Sequence, residues 1–195
     1  MTHVGQRIVV VGTTGSGKTT VASQLAQRLG YPHVELDALY WGPNWAEAPL
    51  DVFRERIVQA LSADAWIADG NYGKVRDIVW GRADTLVWLD YRLPIILWQL
   101  ARRAFQRILA RKDLWNGNRE TFRGQFLSRD SLFLYALSSH SRHRREYAAM
   151  LASSEYAHLA LVHLHSPQET HEWLLNLRVL DLPRTHLPQQ SVRDA

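Results

Sequence analysis

The segment from Arg7 to Thr19 constrains the fold more than any other part of the chain. Residues 7–11 form an apolar, β-branched run, as in a buried parallel strand. The run leads directly into Gly12-Thr13-Thr14-Gly15-Ser16-Gly17-Lys18-Thr19, which fits G-x-x-x-x-G-K-[ST] at every fixed position. An amphipathic pattern then predicts a helix from about 17 to 29, with Gly30-Tyr31-Pro32 as its stop signal. The order strand, glycine-rich loop, helix is the context in which this pattern binds phosphate.

This loop predicts a site for the phosphates of a nucleoside triphosphate. Its glycines allow successive N–H groups to converge on the anion, Lys18 reaches the β and γ oxygens, and Thr19 offers a hydroxyl to magnesium. The positive N-terminal end of the following helix adds to the attraction. We predict ATP and Mg²⁺ as ligands, bound by Gly12, Thr13, Thr14, Gly15, Ser16, Gly17, Lys18, Thr19 and Thr20.

Strands alternate with helices along the rest of the chain. We predict further strands at 33–36, 66–68, 85–89 and 159–164, and further helices from about 51, from about 94 to 111, between 131 and 152, and from 167 to 177. Residues 37–49 are predicted as a loop. The alternation favours an α/β fold with a parallel sheet covered on both faces. We expect a single domain over 1–181 and a disordered tail over 182–195.

The composition excludes several classes of protein. The 195-residue chain has no cysteine, so disulfides, a thiolate nucleophile and cysteine-bound zinc are excluded, and we expect a cytoplasmic protein. Charged residues and Pro94 interrupt the apolar stretch 86–100, so no membrane span is expected. Nine histidines include the pairs 140/143 and 163/165, but without an H-E-x-x-H pattern they do not favour a metal site.

Positive charge is concentrated in residues 91–145. This segment holds eleven Arg and one Lys against three acids, a net +9 in a chain whose net charge is +4. Arginine binds phosphate oxygens through a planar, bidentate fork, which favours phosphate recognition; codon usage in a GC-rich genome is an equally good explanation of the composition. A nucleic-acid surface is a third explanation, although no nucleic-acid motif supports it.

Two acids follow apolar strands, and either is a candidate for the magnesium site. Asp69 ends Trp66-Ile67-Ala68-Asp69, and Asp90 follows 86–89. Ligands bind at the carboxyl ends of parallel strands, so the pattern alone does not choose between them.

The order of these motifs resembles the adenylate kinase superfamily, which includes the shorter shikimate and gluconate kinases. The closest likeness is to bacterial adenylate-kinase-like proteins named for DNA topology modulation, and it covers about residues 5–180. It is carried by Glu35-Leu36-Asp37-Ala38-Leu39-Tyr40-Trp41 with Trp45, by Asp69-Gly70-Asn71-Tyr72, and by 114–120. The resemblance implies a P-loop fold with a five-stranded sheet in the order 2-3-1-4-5, and it favours Asp69 over Asp90 for magnesium.

The same resemblance implies an acceptor site and a lid. Asp37 stands where the shorter kinases place an acid that binds acceptor hydroxyls, although a helix cap or a solvated loop acid fits the position too. Adenylate kinases carry an arginine four residues after the magnesium aspartate to bind the acceptor phosphate; here that position is Gly73, with Lys74 and Arg76 nearby. Trp41 and Trp45 have two equally good explanations. They form an aromatic wall over a flat substrate, or they close a small core beneath the loop.

Catalytic arginines are expected in a lid over about 103–145. Helical spacing places several on shared faces, and an arginine at the transferring phosphoryl group is worth about 10³ to 10⁵ in rate. With Lys18 and Asp37, the candidate catalytic residues are therefore Arg103, Arg107, Arg129, Arg142 and Arg145; for any one of these arginines a solvated helix face is as good an explanation.

We therefore predict an ATP-dependent phosphotransferase that acts on a nucleotide or small hydroxyl-bearing acceptor, as a monomer or small homo-oligomer. The alternative is a nucleotide-dependent regulatory or DNA-binding P-loop protein.

Overall fold

The computed structural model describes residues 4–110 and 132–177. Five strands and seven α-helices are present in this part of the chain, with three short 3₁₀ turns between them. Their bounds, in chain order, are β1 Arg7–Gly12, α1 Lys18–Leu29, β2 His33–Glu35, α2 Leu36–Tyr40, α3 Leu50–Ala60, β3 Trp66–Asp69, α4 Arg76–Arg82, β4 Thr85–Leu89, α5 Leu93–Ala110, α6 Leu132–Leu151, β5 Ala160–Leu164 and α7 Pro167–Leu175.

The five strands form one parallel sheet in the order β2-β3-β1-β4-β5. The predicted α/β fold and strand order are therefore confirmed. In the register of the sheet, Val10 of β1 pairs with Asp69 of β3, and Gly12 pairs with Leu89 of β4. The phosphate loop thus leaves the sheet between the strand ends that carry Asp69 and Asp90.

Both faces of the sheet are covered, because the central strands are apolar at successive positions. Ile8 and Val10 of β1 belong to one apolar cluster, which α1, α5 and α7 cover. Val9 and Val11 belong to the other, where Trp66 and residues of α3, α4 and α6 pack. Successive side chains of a strand point to opposite faces, so the β-branched run predicted at 7–11 supplies both layers at once.

Two helices depart from the sequence prediction. The predicted loop 37–49 begins with α2, since Leu36 is buried and Tyr40 packs edge-on against Phe53, with ring centroids 5.0 Å apart. Helix α4 follows β3 and buries Val79 and Trp80. Both helices are short, so their helical periodicity does not stand out from the surrounding turns.

One predicted core residue is exposed. The helical pattern from about 51 predicts one inner face for Phe53, Ile57, Val58 and Leu61, yet Val58 is 47% exposed while the other three are buried. A 100° step per residue turns position 58 away from the layer that position 57 faces.

Within residues 4–110 and 132–177, no helix has both the length and the apolar character that a membrane span requires. The predicted tail at 182–195 and the middle of the predicted lid lie outside the described residues.

Candidate active site

The phosphate loop takes a backbone path that needs its glycines. Gly15 and Gly17 have φ of 84° and 89°, in the left-handed region that side chains with a Cβ disfavour. A Cβ at Gly15 would in addition lie 2.5 Å from Cγ of Leu100 on α5, whereas a Cβ at Gly17 would meet nothing within 4 Å. Between them the Ser16 N–H donates to the Thr13 carbonyl at 3.0 Å, which closes the turn.

The start of α1 is available to an anion. Gly17 is the N-cap, no side chain caps the helix, and the first turn contains no acid. The Ser16 hydroxyl is buried and has no hydrogen-bond partner among the described residues. A buried hydroxyl without a partner carries a desolvation cost, which a phosphate oxygen would offset. The loop therefore fits a bound phosphate chain.

Lys18 lies at the centre of the candidate site. Its ammonium donates to the carbonyls of Gly12 at 3.0 Å and Thr13 at 3.4 Å. Burial lowers the pKa of Lys18, and the charge of Arg103 lowers it further, while Asp37 and Asp69 oppose these effects. Lys18 is therefore within electrostatic range of Asp37, Asp69 and the predicted lid arginine Arg103.

Asp69 contacts the predicted magnesium-binding threonine directly. The Thr19 hydroxyl donates to one Asp69 carboxylate oxygen at 2.6 Å, and His33 Nε2 lies 2.8 Å from the other. Asp69 is only 5% exposed, so its orientation is fixed by these two contacts. A hydroxyl and a carboxylate side by side are the oxygen ligands that Mg²⁺ prefers.

Asp90 has different partners. The guanidinium of Arg144 on α6 lies 2.9 Å from its carboxylate, His163 Nε2 lies 3.1 Å away and His165 Nδ1 3.9 Å away. One turn before Arg144, His140 Nδ1 shares a 3.1 Å hydrogen bond with the Thr13 hydroxyl. Asp90 and Thr13 therefore connect α6 to the sheet edge and to the phosphate loop.

Asp37 lies in an aromatic environment at the start of α2. The Tyr72 hydroxyl donates to its carboxylate at 2.5 Å, and burial followed by the Asp37 charge raises the pKa of Tyr72. The Tyr40 ring packs against those of Tyr72 and Trp41, with centroids 4.8 and 4.9 Å apart. Trp41 in turn packs edge-on against Trp45 at 5.7 Å.

Asn71 joins the surroundings of Asp37 to the phosphate loop. Its amide oxygen accepts from the Gly12 N–H at 3.3 Å, and its amide nitrogen donates to the Gly12 carbonyl. Both backbone groups of the first loop glycine are thus engaged by the residue that precedes Tyr72.

The predicted catalytic arginines differ in their distance from the phosphate loop and in their exposure. Arg103 lies in α5 and interacts with Lys18, whereas Arg142 and Arg145 are exposed on α6, with Arg142 3.8 Å from Glu146. The side chain of Arg107 and the whole of Arg129 lie outside the described residues.

Several contacts at the site involve residues that the motifs did not single out. His33, His140 and Arg144 bind Asp69, Thr13 and Asp90 from other elements. The signals in the sequence were indirect: His33 lies in the strand beside β3, and α6 carries His140, His143 and Arg144 at helical spacing. Pairing of strands and docking of helices decide such contacts, and neither can be derived from a local pattern.

The site and the sheet together define a P-loop protein. The family model described as "AAA domain" matches residues 8–178, and the chain belongs to that family. A "Putative adenylate kinase" of Thermococcus kodakarensis is 32% identical over 107 residues, which are 51% of this chain and 58% of the relative. The chain thus spans little more than half the length of that relative.

A solved structure of a small kinase shares the fold. Shikimate kinase from Bacteroides thetaiotaomicron matches with a TM-score of 0.53 and 11% identity, over 87% of this chain and 94% of that one. A gluconokinase from Sinorhizobium meliloti 1021 matches with a TM-score of 0.49 and 18% identity, over 89% and 94%. The predicted resemblance to P-loop kinases of the adenylate-kinase-like type is confirmed.

Proposed function

We propose that the protein is an ATP-dependent phosphotransferase that moves the γ-phosphoryl group to a hydroxyl or phosphate oxygen of a small acceptor. The observation that carries this proposal is a pair of carboxylates attached to opposite sides of the phosphate loop: Asp69 binds Thr19, and Asp37 binds Tyr72, whose neighbour Asn71 binds Gly12. Two separate carboxylates beside one phosphate loop are what a two-substrate site needs, because donor and acceptor must meet at the transferring group.

On the donor side, the loop N–H groups and the α1 N-terminus bind the phosphates. Lys18 would exchange its bonds to the Gly12 and Thr13 carbonyls for phosphate oxygens, and the orphan Ser16 hydroxyl would gain a partner. Thr19 and Asp69 would hold Mg²⁺, which neutralises charge on the phosphates. His33 fixes the Asp69 carboxylate in place.

On the acceptor side, Asp37 accepts a hydrogen bond from the attacking hydroxyl and orients it. Tyr72 holds one Asp37 oxygen, which leaves the other for the acceptor. Asn71, which precedes Tyr72 in the chain, binds Gly12. The segment that positions Asp37 is therefore connected to the loop that would position the phosphates. Such a connection keeps the reacting atoms in line.

Positive charge completes the site from α5. Arg103 is near enough to Lys18 to lower its pKa, so it would stabilise charge on the transferring group. Arg107, Arg129, Arg142 and Arg145 remain candidates to join it when the predicted lid closes.

The test is acceptor-dependent release of ADP from Mg-ATP across a panel of nucleoside monophosphates, polyols and hydroxy acids. We expect turnover with at least one acceptor, its loss in Lys18→Ala, and no loss in Arg82→Ala, which removes a cation from the last turn of α4.

Asp37→Asn separates the two halves of the site. It should bind Mg-ATP normally and lose acceptor turnover, while Asp51→Asn, at an exposed position in the first turn of α3, should behave as wild type. Binding of ATP with no turnover of any acceptor would contradict the proposal.

A further inference from the structure

Two histidines at the end of β5 lie beside Asp90. His163 is in β5, His165 follows the strand directly, and their ring centroids are 4.1 Å apart. Alternate residues of an extended segment point to the same side, which brings the two imidazoles together. The pattern H-E-x-x-H describes pairs on a helix and does not cover this arrangement. Asp90 follows β4, which pairs with β5, and β1 separates these two strands from the one that carries Asp69. The cluster is therefore distinct from the predicted magnesium site.

The separations within this cluster fit a small metal ion. His163 Nε2 lies 3.1 Å and His165 Nδ1 lies 3.9 Å from one Asp90 carboxylate oxygen, and the three ligand atoms all lie within 4.8 Å of one another. Nitrogen and oxygen ligands of tetrahedral Zn²⁺ lie at about 2.0 to 2.2 Å, which puts them about 3.3 to 3.6 Å apart. No pair of ligand atoms would have to approach by more than about 1.5 Å, a movement that small side-chain rotations supply.

The three side chains are held by the surrounding structure. The His163 ring stacks on Trp88, with centroids 4.1 Å apart and planes at 5°. The backbone N–H of His165 donates to the Glu169 carboxylate at 2.6 Å. The Asp90 side chain is 3% exposed, whereas those of His163 and His165 are 32% and 56% exposed. A buried carboxylate below two partly exposed imidazoles, at the edge strand of the sheet, leaves an ion a path from solvent.

Arg144 competes with a metal ion for Asp90, and two features limit this competition. The Arg144 Nε lies 2.9 Å from the carboxylate, but its side chain is 55% exposed and can turn toward water. A carboxylate also has about four lone-pair sites, so it can accept from a guanidinium and bind an ion at the same time. Carboxylates that bind metals are commonly hydrogen-bonded by a further partner of this kind.

We propose that Asp90, His163 and His165 bind a first-row transition-metal ion, with Zn²⁺ as the test case and water as the fourth ligand. Imidazole nitrogens suit Zn²⁺, whereas Mg²⁺ prefers oxygen ligands. The site thus differs in selectivity from the hydroxyl and carboxylate pair of Thr19 and Asp69. A bound ion joins the ends of β4 and β5 and stabilises this edge of the sheet. The inference does not depend on phosphotransfer.

The test is a calorimetric titration of the metal-free, untagged full chain with Zn²⁺ in the absence of nucleotide. We expect one ion per chain at the high-affinity site. His163→Ala, His165→Ala and Asp90→Asn should each weaken binding by at least about 10- to 100-fold, which is the loss caused even by removing an outer partner of a metal ligand. His171→Ala, which removes an exposed histidine of α7, is the matched control and should bind as wild type.

Thermal unfolding supplies a second measurement. Saturating Zn²⁺ should raise the Tm of wild type and of His171→Ala, because an ion that binds only the folded state stabilises it. The double variant His163→Ala/His165→Ala should show no such rise. Mg²⁺ should change the Tm of all three proteins equally, since its ligands lie elsewhere.

His165 is exposed, so its replacement should leave the fold intact even if His163→Ala disturbs the contact with Trp88. Failure of the wild type to bind Zn²⁺, or equal affinity in wild type and His165→Ala, would overturn the inference. Zinc binding that is lost in His33→Gln and retained in His165→Ala would place the ion at Asp69 and would also overturn it.

Discussion

The two left-handed glycines of the phosphate loop allow a stability prediction with a built-in control. Gly15→Ala and Gly17→Ala place the same methyl group at nearly the same φ, 84° and 89°. They differ in surroundings: the new Cβ lies 2.5 Å from Leu100 Cγ and 2.9 Å from Cδ2 at position 15, and meets nothing at position 17. Leu100 is only 2% exposed, so it has little room to move.

The expected magnitudes follow from these two terms. Alanine in the left-handed region costs about 1 to 2 kcal/mol, which is the whole cost expected for Gly17→Ala. At Gly15 the overlap with Leu100 adds about 1 to 3 kcal/mol. Any loss of unfolded-state entropy on replacing glycine is the same in both variants, so it cancels in their difference.

Urea unfolding of the nucleotide-free protein measures both values. Leu100→Ala and the double variant Gly15→Ala/Leu100→Ala complete a double-mutant cycle. The double variant should be about 1 to 3 kcal/mol less destabilised than the sum of the two single variants, because removing the Leu100 side chain removes the overlap. Equal destabilisation by the two glycine variants, within about 0.5 kcal/mol, would refute the claim that Leu100 packs beneath the loop.

Three further predictions concern the site. Asp69→Asn should raise the Mg²⁺ concentration for half-maximal activity by about 10- to 100-fold, while Thr19→Ser, which keeps the 2.6 Å bond to Asp69, should stay near wild type; a magnesium titration decides. Tyr72→Phe removes the bond to Asp37 and should lower kcat/KM for the acceptor by about 10- to 100-fold with little change in ATP binding, as steady-state kinetics with each substrate varied would reveal. Burial lowers the pKa of His143 in the folded state, so the unfolded state takes up its proton first; the free energy of unfolding should fall as pH drops below about 6.5, and His143→Phe should reduce that slope in urea titrations at several pH values.

The donor half of the site could be predicted because its chemistry is local. The loop residues, Lys18 and Thr19 follow one another in the chain, and the adjoining strand and helix have strong patterns. Asp69 and Asp90 were candidates for the magnesium site because each follows a strand, and the register of the sheet pairs Val10 with Asp69 and Gly12 with Leu89, the residue before Asp90. What the pattern left open was their partners: Asp69 contacts Thr19, and Asp90 contacts Arg144.

The proposed acceptor half of the site depends on packing between distant segments, so local patterns indicated less of it. The bond between Tyr72 and Asp37 spans 35 residues, and the environment of Arg76 includes Met150 and Tyr147 on α6. The spacing of the lid arginines favoured Arg142 and Arg145, whereas the helix turns Arg144 toward Asp90. A helical face can be derived from sequence, but the direction in which the helix docks cannot.

The central claim is that Lys18 and Asp37 serve two substrates at one point of transfer. The most direct measurement follows the label from γ-phosphate-labelled ATP in the presence of the acceptor that best stimulates ADP release, and separates labelled acceptor from labelled inorganic phosphate. We expect wild type to label the acceptor, Lys18→Ala to label neither, and Asp37→Asn to bind ATP without labelling the acceptor. Label found only in inorganic phosphate with the wild type, or transfer to the acceptor as fast in Asp37→Asn as in wild type, would contradict the account.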